Sequence, residues 1–243
     1  QDAAGLAVAN NLDVRATSQA MAMRNANDGI SIVQTAEGGI NEIADMVKRM
    51  RELAIQASSD ALAQTERDYV NDEFSNLQDE IQRIRDSSNF NGINLLDGNI
   101  ALGLEAQVGA DNNVNNRIKI VVGDVTKVLD SSTATSFDLA DQAALKVDTL
   151  ADAHASLNKL DDALKHMNNQ RSKLGSVENK LNNAISYLAN NNEAMRSAQS
   201  RIMDVDFAHA SAQMSKAQTM TQASTAILAQ ANQLPQAATR LIG

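Results

Sequence analysis

Apolar positions along the first arm of the chain keep a helical phase across two strong chain-breaking signals. Met23, Ala26, Ile30 and Val33 are spaced 3, 4 and 3 apart, and Ile40, Ile43, Val47, Met50, Ala54 and Ala57 continue the alternation seven residues on. Within this run lies "RNANDGISIVQTAEGGI" (24–40), where Asn27-Asp28-Gly29 and Gly38-Gly39 each read locally as a turn. A turn would reset the phase, and the phase is kept. The spacing therefore predicts one helix from near residue 3 to near residue 58, about 80 Å long at 1.5 Å per residue. Glycine inside a helix costs about 1 kcal/mol against alanine. Accepting that cost points to a neighbouring element that approaches closely where side chains are small.

"SSDALAQTERDYV" breaks this helix, and Thr65 with Asp68 supplies a T-x-x-D start for the next. Val70, Phe74, Leu77, Ile81 and Ile84 carry that helix to about residue 87, where "SSNFNGINLLDGN" ends it. Leu102, Leu104, Ala106 and Val108 then alternate with polar or small residues, as do Ile118, Ile120 and Val122 after a polar loop, which predicts a β-hairpin on a half-buried face. Residues 123–138 read as loop, with room for one further short strand. Helical phase returns from about residue 139, with Leu150, Ala153, Leu157, Leu160, Leu164, Met167, Leu174, Leu181, Ile185 and Leu188 on one stripe and Arg171 in the slot after Met167. Met195, Ala198, Ile202 and Val205 continue it, and Ala217, Met220, Ser224, Ile227, Ala231 and Leu234 extend it to Pro235. A 3.5-residue repeat is a coiled-coil seam, and two long arms joined by a compact hairpin must pack antiparallel. The expected fold is mainly α, an elongated antiparallel coiled-coil-like bundle of long helices with a small β-hairpin region at one end. Its expected divisions are an N-terminal arm (1–100), a short hairpin and loop region (101–138), a C-terminal helix (139–205) and a terminal segment (206–243).

Composition agrees with long helices. Pro235 is the only proline, and four Phe, two Tyr and no Trp leave little for a thick core. The formal net charge of −9, without a basic block, argues against nucleic acid as a partner. No run of about 18 apolar residues predicts a membrane span, and no secretory signal peptide is visible. The chain opens inside an already running helix, "QDAAGLAVANNLDV", and so reads as cut at its start. Residues 207–239 stand apart, because Lys216 is their only full charge while a solvated helix normally carries many.

Chemistry finds little footing. His154, His166 and His209 lack metal-ligand spacing, and there is no H-E-x-x-H. Asp162 and His166 at i, i+4, and the pair Asp204 and Asp206, are too sparse for a catalytic or cation site. No phosphate loop and no nucleophile–base set is present, so no enzyme and no cofactor is expected.

Several ordered motifs resemble a known family. "DAAGLAVAN", "RNANDGISIVQTAEGGINEI", "MRELAIQAS" and "FNGINLLDG" are similar to the N-terminal part of bacterial flagellins, and "RSKLGSVENKL", "AQSRIMDVDFA", "MSKAQ" and "ILAQANQLPQ" to the C-terminal part. The resemblance covers about residues 1–100 and 157–243 and implies a flagellin truncated at its N-terminus, with a minimal central region. It implies a subunit of the flagellar filament, exported by the flagellar type III route without a cleaved signal and working outside the cell in motility. The implied partners are other flagellin subunits, an export chaperone, and cap and junction proteins. Residues 206–243 would be half of the coiled coil lining the filament's inner tube, its partner helix missing, with Met214, Met220, Ile227, Leu228 and Leu234 as the assembly residues. Recognition by the host flagellin-sensing Toll-like receptor would fall on Arg49, Leu53 and Glu73, with Lys48 standing where the enteric pattern has Gln. Two alternative readings are a hook–filament junction protein and a flagellin-like surface protein that binds a polysaccharide or a host ligand.

Overall fold

The computed structural model describes residues 3–129, 136–204 and 207–242, without the side chains of 3, 129, 207–210 and 232–242. In chain order the elements are α1 (Ala3–Ala57), α2 (Gln64–Ser87), β1 (Asn89–Phe90), β2 (Ile93–Asn94), β3 (Leu104–Gln107), β4 (Arg117–Ile120), β5 (Lys127–Leu129), β6 (Ser136–Asp138), α3 (Leu150–Met203) and α4 (Phe207–Ile242). The strands form three separate antiparallel pairs, β1 with β2, β3 with β4 and β5 with β6. The chain divides into two compact units, residues 13–195 and residues 1–12 with 196–243.

In the larger unit α1 runs unbroken through both suspected turns. Its buried line is Ala16, Gln19, Ala22, Ala26, Gly29, Val33, Ala36, Ile40, Ile43, Val47, Met50, Ala54 and Ala57, with Met23 and Ile30 at its flanks. The facing line on α3 is Ala153, Ser156, Leu160, Ala163, Met167, Gln170, Leu174, Leu181 and Leu188. Its 3–4 alternation is a coiled-coil seam. Gln170 is the buried member after Met167, whereas Arg171 lies outside the seam and reaches Glu37 of α1. The two helices are antiparallel. Asn192 Nδ2 donates to Ala16 O, Gln34 Nε2 donates to Glu178 at 3.0 Å, and Arg51 Nε meets Asp161 at 2.6 Å, so the partner number falls as the α1 number rises.

The glycines expected to admit a neighbour divide into two kinds. A Cβ on Gly29 would lie 3.3 Å from Leu181 Cδ1 of α3 and 3.4 Å from Ile120 Cδ1 of β4. A Cβ on Gly39 would lie 2.7 Å from Leu96 Cδ1 and 2.9 Å from Ser88 Oγ, so here the visitor is the loop after α2 rather than a helix. Gly38 has nothing within 4 Å of that position.

The 139–149 stretch is not helical, against the phase reading. Leu139, Leu145 and Val147 are buried, and the backbone around them, besides its own turns (the Leu145 amide donates to Asp141 O at 3.0 Å), takes side-chain partners from α2. Gln78 Nε2 donates to Leu139 O at 3.1 Å and Leu145 O at 2.9 Å. The Val147 amide donates to Asn71 Oδ1 at 3.0 Å, and Gln64 Nε2 donates to Asp148 O at 2.9 Å. Gln64, Asn71 and Gln78 are two turns apart along one face of α2, and together they hold this strap against that helix. Helix α3 then starts where Thr149 caps it, its Oγ1 accepting from the Asp152 amide at 3.1 Å. Helix α2 begins otherwise than the T-x-x-D reading. Glu66 accepts from the Ala63 amide at 3.1 Å, and neither Thr65 nor Asp68 caps it. Buried Arg67 instead reaches back to the end of α1, donating to Ala57 O at 3.0 Å and Ser59 O at 3.1 Å.

The predicted hairpin pairs Leu104 with Ile120 and Gln107 with Arg117. Leu102 does not share its buried face. It is 85% exposed, because Gly103 at φ +93° turns the chain before the strand begins. The loop at 123–138 holds one additional pair, β5 with β6. In the smaller unit α3 ends at Met203, the position of Val205 lies outside the described residues, and α4 continues past Pro235.

Two substitutions separate the glycine roles. Gly39→Ala should destabilise the fold by about 1–3 kcal/mol, since buried Leu96 has no room to move. Gly38→Ala should stabilise it by about 1 kcal/mol. Thermal unfolding followed by circular dichroism measures both, and equal effects at the two positions would contradict the assigned packing.

Candidate functional site

Helix α1 presents Arg49 and α2 presents Glu73 on one half-exposed face. Arg49 Nε and Nη2 both donate to Glu73 Oε1, at 3.1 and 2.8 Å, and Nη1 donates to Glu52 at 3.0 Å. The Glu73 hydrogen bond, then the Glu52 one, holds the guanidinium further above its already high range, so its charge is fixed at any working pH. Leu53, one turn on from Arg49, is 1% exposed and belongs to the hydrophobic core. The structure thus brings Arg49 and Glu73 together as surface and puts Leu53 inside.

The second candidate surface is on α4. From residue 211 to 231 every described side chain is exposed, including Met214 at 61%, Met220 at 63%, Ile227 at 66% and Leu228 at 61%. The side chain of Leu234 lies outside the described set. Thr219, Thr221 and Thr225 donate their hydroxyls back to carbonyls four residues earlier, at 2.8, 2.9 and 3.1 Å. Their hydrogen bonding is met within the helix, which leaves methyl groups to the surface. An exposed apolar line in a nearly uncharged helix is a surface shaped for contact with protein.

Other clusters offer no comparable chemistry. His166 lines a shallow recess of about 220 Å³ with Asp162, Lys165 and Asn169, and Asp162 is joined to Lys165 at 3.0 Å. His154 is exposed and far along the helix from His166, and the side chains of His209 and Asp206 lie outside the described set. Among the described residues no group of three or more His, Asp or Glu could hold a metal ion, and no helix is long and apolar enough to cross a membrane. The residues that sequence reasoning missed are structural. Arg67 and the Gln64, Asn71 and Gln78 ladder had a legible signal in their seven-residue spacing, a polar repeat beside the apolar one.

Comparison with known proteins bears on the whole chain. The family description "Bacterial flagellin N-terminal helical region" matches residues 1–101, and "Bacterial flagellin C-terminal helical region" matches residues 157–242. A flagellin of Halalkalibacterium halodurans is 37% identical over 241 residues, covering 99% of this chain and 85% of the relative. A flagellin of Bacillus subtilis is 36% identical over 264 residues, covering 99% and 86%. Among solved structures, Bacillus cereus flagellin has a TM-score of 0.56 at 27% identity, covering 68% of this chain and 88% of that one. A putative flagellar hook-associated protein from Vibrio parahaemolyticus reaches 0.70 at 15% identity, over 83% and 98%, which is a likeness of fold.

The half-buried imidazole of His166 yields a pH test. Burial pushes its pKa below 6.5, and Lys173 pushes the same way, against a hydrogen bond and the charge of Asp124. The unfolded chain therefore binds this proton more readily than the folded one, and stability falls as pH drops below the ordinary histidine range. Thermal midpoints measured between about pH 7.5 and 5.5 should decline for the natural chain and decline less for His166→Gln. Identical slopes would show that the ring is not desolvated as described.

Proposed function

The chain belongs to the bacterial flagellin family, and from that premise we infer that it acts by packing, as a structural subunit of the flagellar filament. The filament lies outside the cell, and no catalytic step is part of this role. The observation that carries the reading is the α4 line of Met214, Met220, Ile227 and Leu228, exposed on a segment whose only charge between residues 211 and 231 is Lys216. In a filament this line is covered by other subunits, and that burial supplies a driving force of about 1.5–3 kcal/mol for each large apolar side chain. Leu234 continues the same line in sequence.

The finer steps belong to the same reading. Before assembly the exposed line needs a protein cover, which an export chaperone provides, and the subunit travels by the flagellar type III route to the growing end, where cap and junction proteins meet it. The Arg49–Glu73 face is the surface offered to a host flagellin-sensing receptor. Leu53 supports that face from the core rather than touching the partner. The likeness to a hook-associated protein is one of fold and leaves the filament reading in front.

Two measurements test these statements. Ile227→Asp with Leu228→Asp should leave helix content and melting temperature unchanged, because both positions are solvent-exposed, yet stop filament growth from seeds as seen by electron microscopy. Normal filaments from that double variant would remove α4 from the assembly surface. In a receptor reporter assay Arg49→Ala and Glu73→Ala should lose potency at unchanged stability, whereas Leu53→Ala should first lose about 2–5 kcal/mol of stability. Full potency of the first two variants would rule out this face.

A further inference from the structure

Methionine is distributed unequally between the core and this assembly surface. Met50 and Met167 are fully buried in the seam, while Met214 and Met220 stand about three-fifths exposed on α4. Within residues 211–231 the large apolar side chains are Met214, Met220, Ile227 and Leu228, so the first half of the line is carried by thioethers alone. A thioether is the one apolar side chain that a two-electron oxidant converts directly into a polar one.

We propose that Met214 and Met220 form a sulfoxidation site on the α4 assembly surface, at which a peroxide-class oxidant makes the free subunit unable to join the filament. The proposal rests on the assembly reading of α4 above. In the reaction a sulfur lone pair attacks one oxygen of hydrogen peroxide and the O–O bond breaks. The sulfur is oxidised to sulfoxide, the peroxide is reduced, and the remaining oxygen leaves as water. Each event replaces an apolar group by a strong hydrogen-bond acceptor.

The surroundings make that acceptor costly to bury. The hydroxyls of Thr219, Thr221 and Thr225 donate to backbone carbonyls of their own helix and are not free to answer it. Lys216, one turn before Met220, is the only charged donor in the segment, and its strongly hydrated ammonium would have to be dehydrated along with the sulfoxide. A sulfoxide hydrated in the free subunit must exchange that water on assembly for the few neutral donors of the segment, such as Gln218 and Ser224 four residues on from Met214 and Met220, a cost the thioether does not carry. In the assembled filament the same two sulfurs are covered, so the site is open only before incorporation. Reduction of the sulfoxide restores the thioether, which makes the block reversible.

The test uses subunits dissociated from filaments built of this chain alone, treated with hydrogen peroxide and then regrown from seeds. Peptide mapping should find Met214 and Met220 gaining one oxygen each before Met50 and Met167. The concentration needed for growth should rise at least about tenfold, equivalent to 1.4 kcal/mol per subunit. Growth of Met214→Leu with Met220→Leu, measured against the same variant left untreated, should not change on treatment, although half-exposed Met21 and Met203 remain oxidisable. A methionine sulfoxide reductase should restore growth of the oxidised natural chain, a readout that needs no variant. Oxidised subunits growing at the untreated rate, equal inhibition of the double variant, or oxidation of Met214 and Met220 no faster than of Met50 would each overturn the proposal. Failure of untreated subunits to grow would instead overturn the assembly reading beneath it.

Discussion

The closeness with which α3 and the β3–β4 hairpin approach α1 depends on side chains that α1 lacks. Along the seam α1 offers Ala16, Ala22, Ala26, Gly29 and Ala36, and the space above Gly29 is filled at once by Leu181 of α3 and Ile120 of β4. One vacant Cβ position therefore joins a helix pair to a sheet. This explains how a chain with so few aromatic rings builds a core at all. The core is thin, small residues on one side receive branched ones from the other, and contact is won by proximity rather than bulk. The polar positions in the same seam add register. Gln19, Gln170 and Asn192 are buried amides, and Asn192 is tied to the Ala16 carbonyl, a contact available at only one alignment of the two helices.

A second layer of the fold depends on hydrogen bonding. The 139–149 strap carries Leu139, Leu145 and Val147 into the core, and a buried segment outside regular helix or sheet must find partners for its backbone. Gln64, Asn71 and Gln78 provide them from α2, and Arg85, two turns further on, reaches Thr126 at 3.2 Å. Helix α2 thus has an apolar face toward the core and a polar repeat beside it, and the repeat decides that the following segment is a strap rather than more helix.

What could be read from the sequence follows from these two layers. The continuity of α1 was legible because an apolar period records which face is buried, and burial outweighed the local cost of Gly29 and Gly39. The hairpin was legible in Leu104, Ala106, Ile118 and Ile120 for the same reason. The strap was not, since the helical stripe that begins at Leu150 was extended back to about residue 139, where Leu139, Leu145 and Val147 are spaced 6 and 2 apart and carry no helical phase. Leu102 misled because alternation is blind to a positive φ at the next residue, and Arg171 misled because it and the shorter, buried Gln170 both fit a 3–4 step between Met167 and Leu174. At the surface the Arg49–Glu73 pair was legible only through resemblance to a family. The burial of Leu53 was not read, since the apolar stripe was followed through Met50 and Ala54 on either side of it.

Residues that break a local rule sort by whether the fold itself compensates them. Gly29 and Gly39 are compensated within the chain by Leu181, Ile120 and Leu96, which occupy the space they leave. Gly38 and Gly175 stand in helix interiors with nothing within 4 Å of where a Cβ would be, so each weakens its helix without a gain inside the subunit. Helix α4 repeats the imbalance on a larger scale, with apolar side chains in water and almost no charge to keep them soluble. On the proposed reading, in which α4 packs against other copies, these uncompensated positions are where a subunit would be incomplete alone, and covering them would help to drive one subunit onto the next.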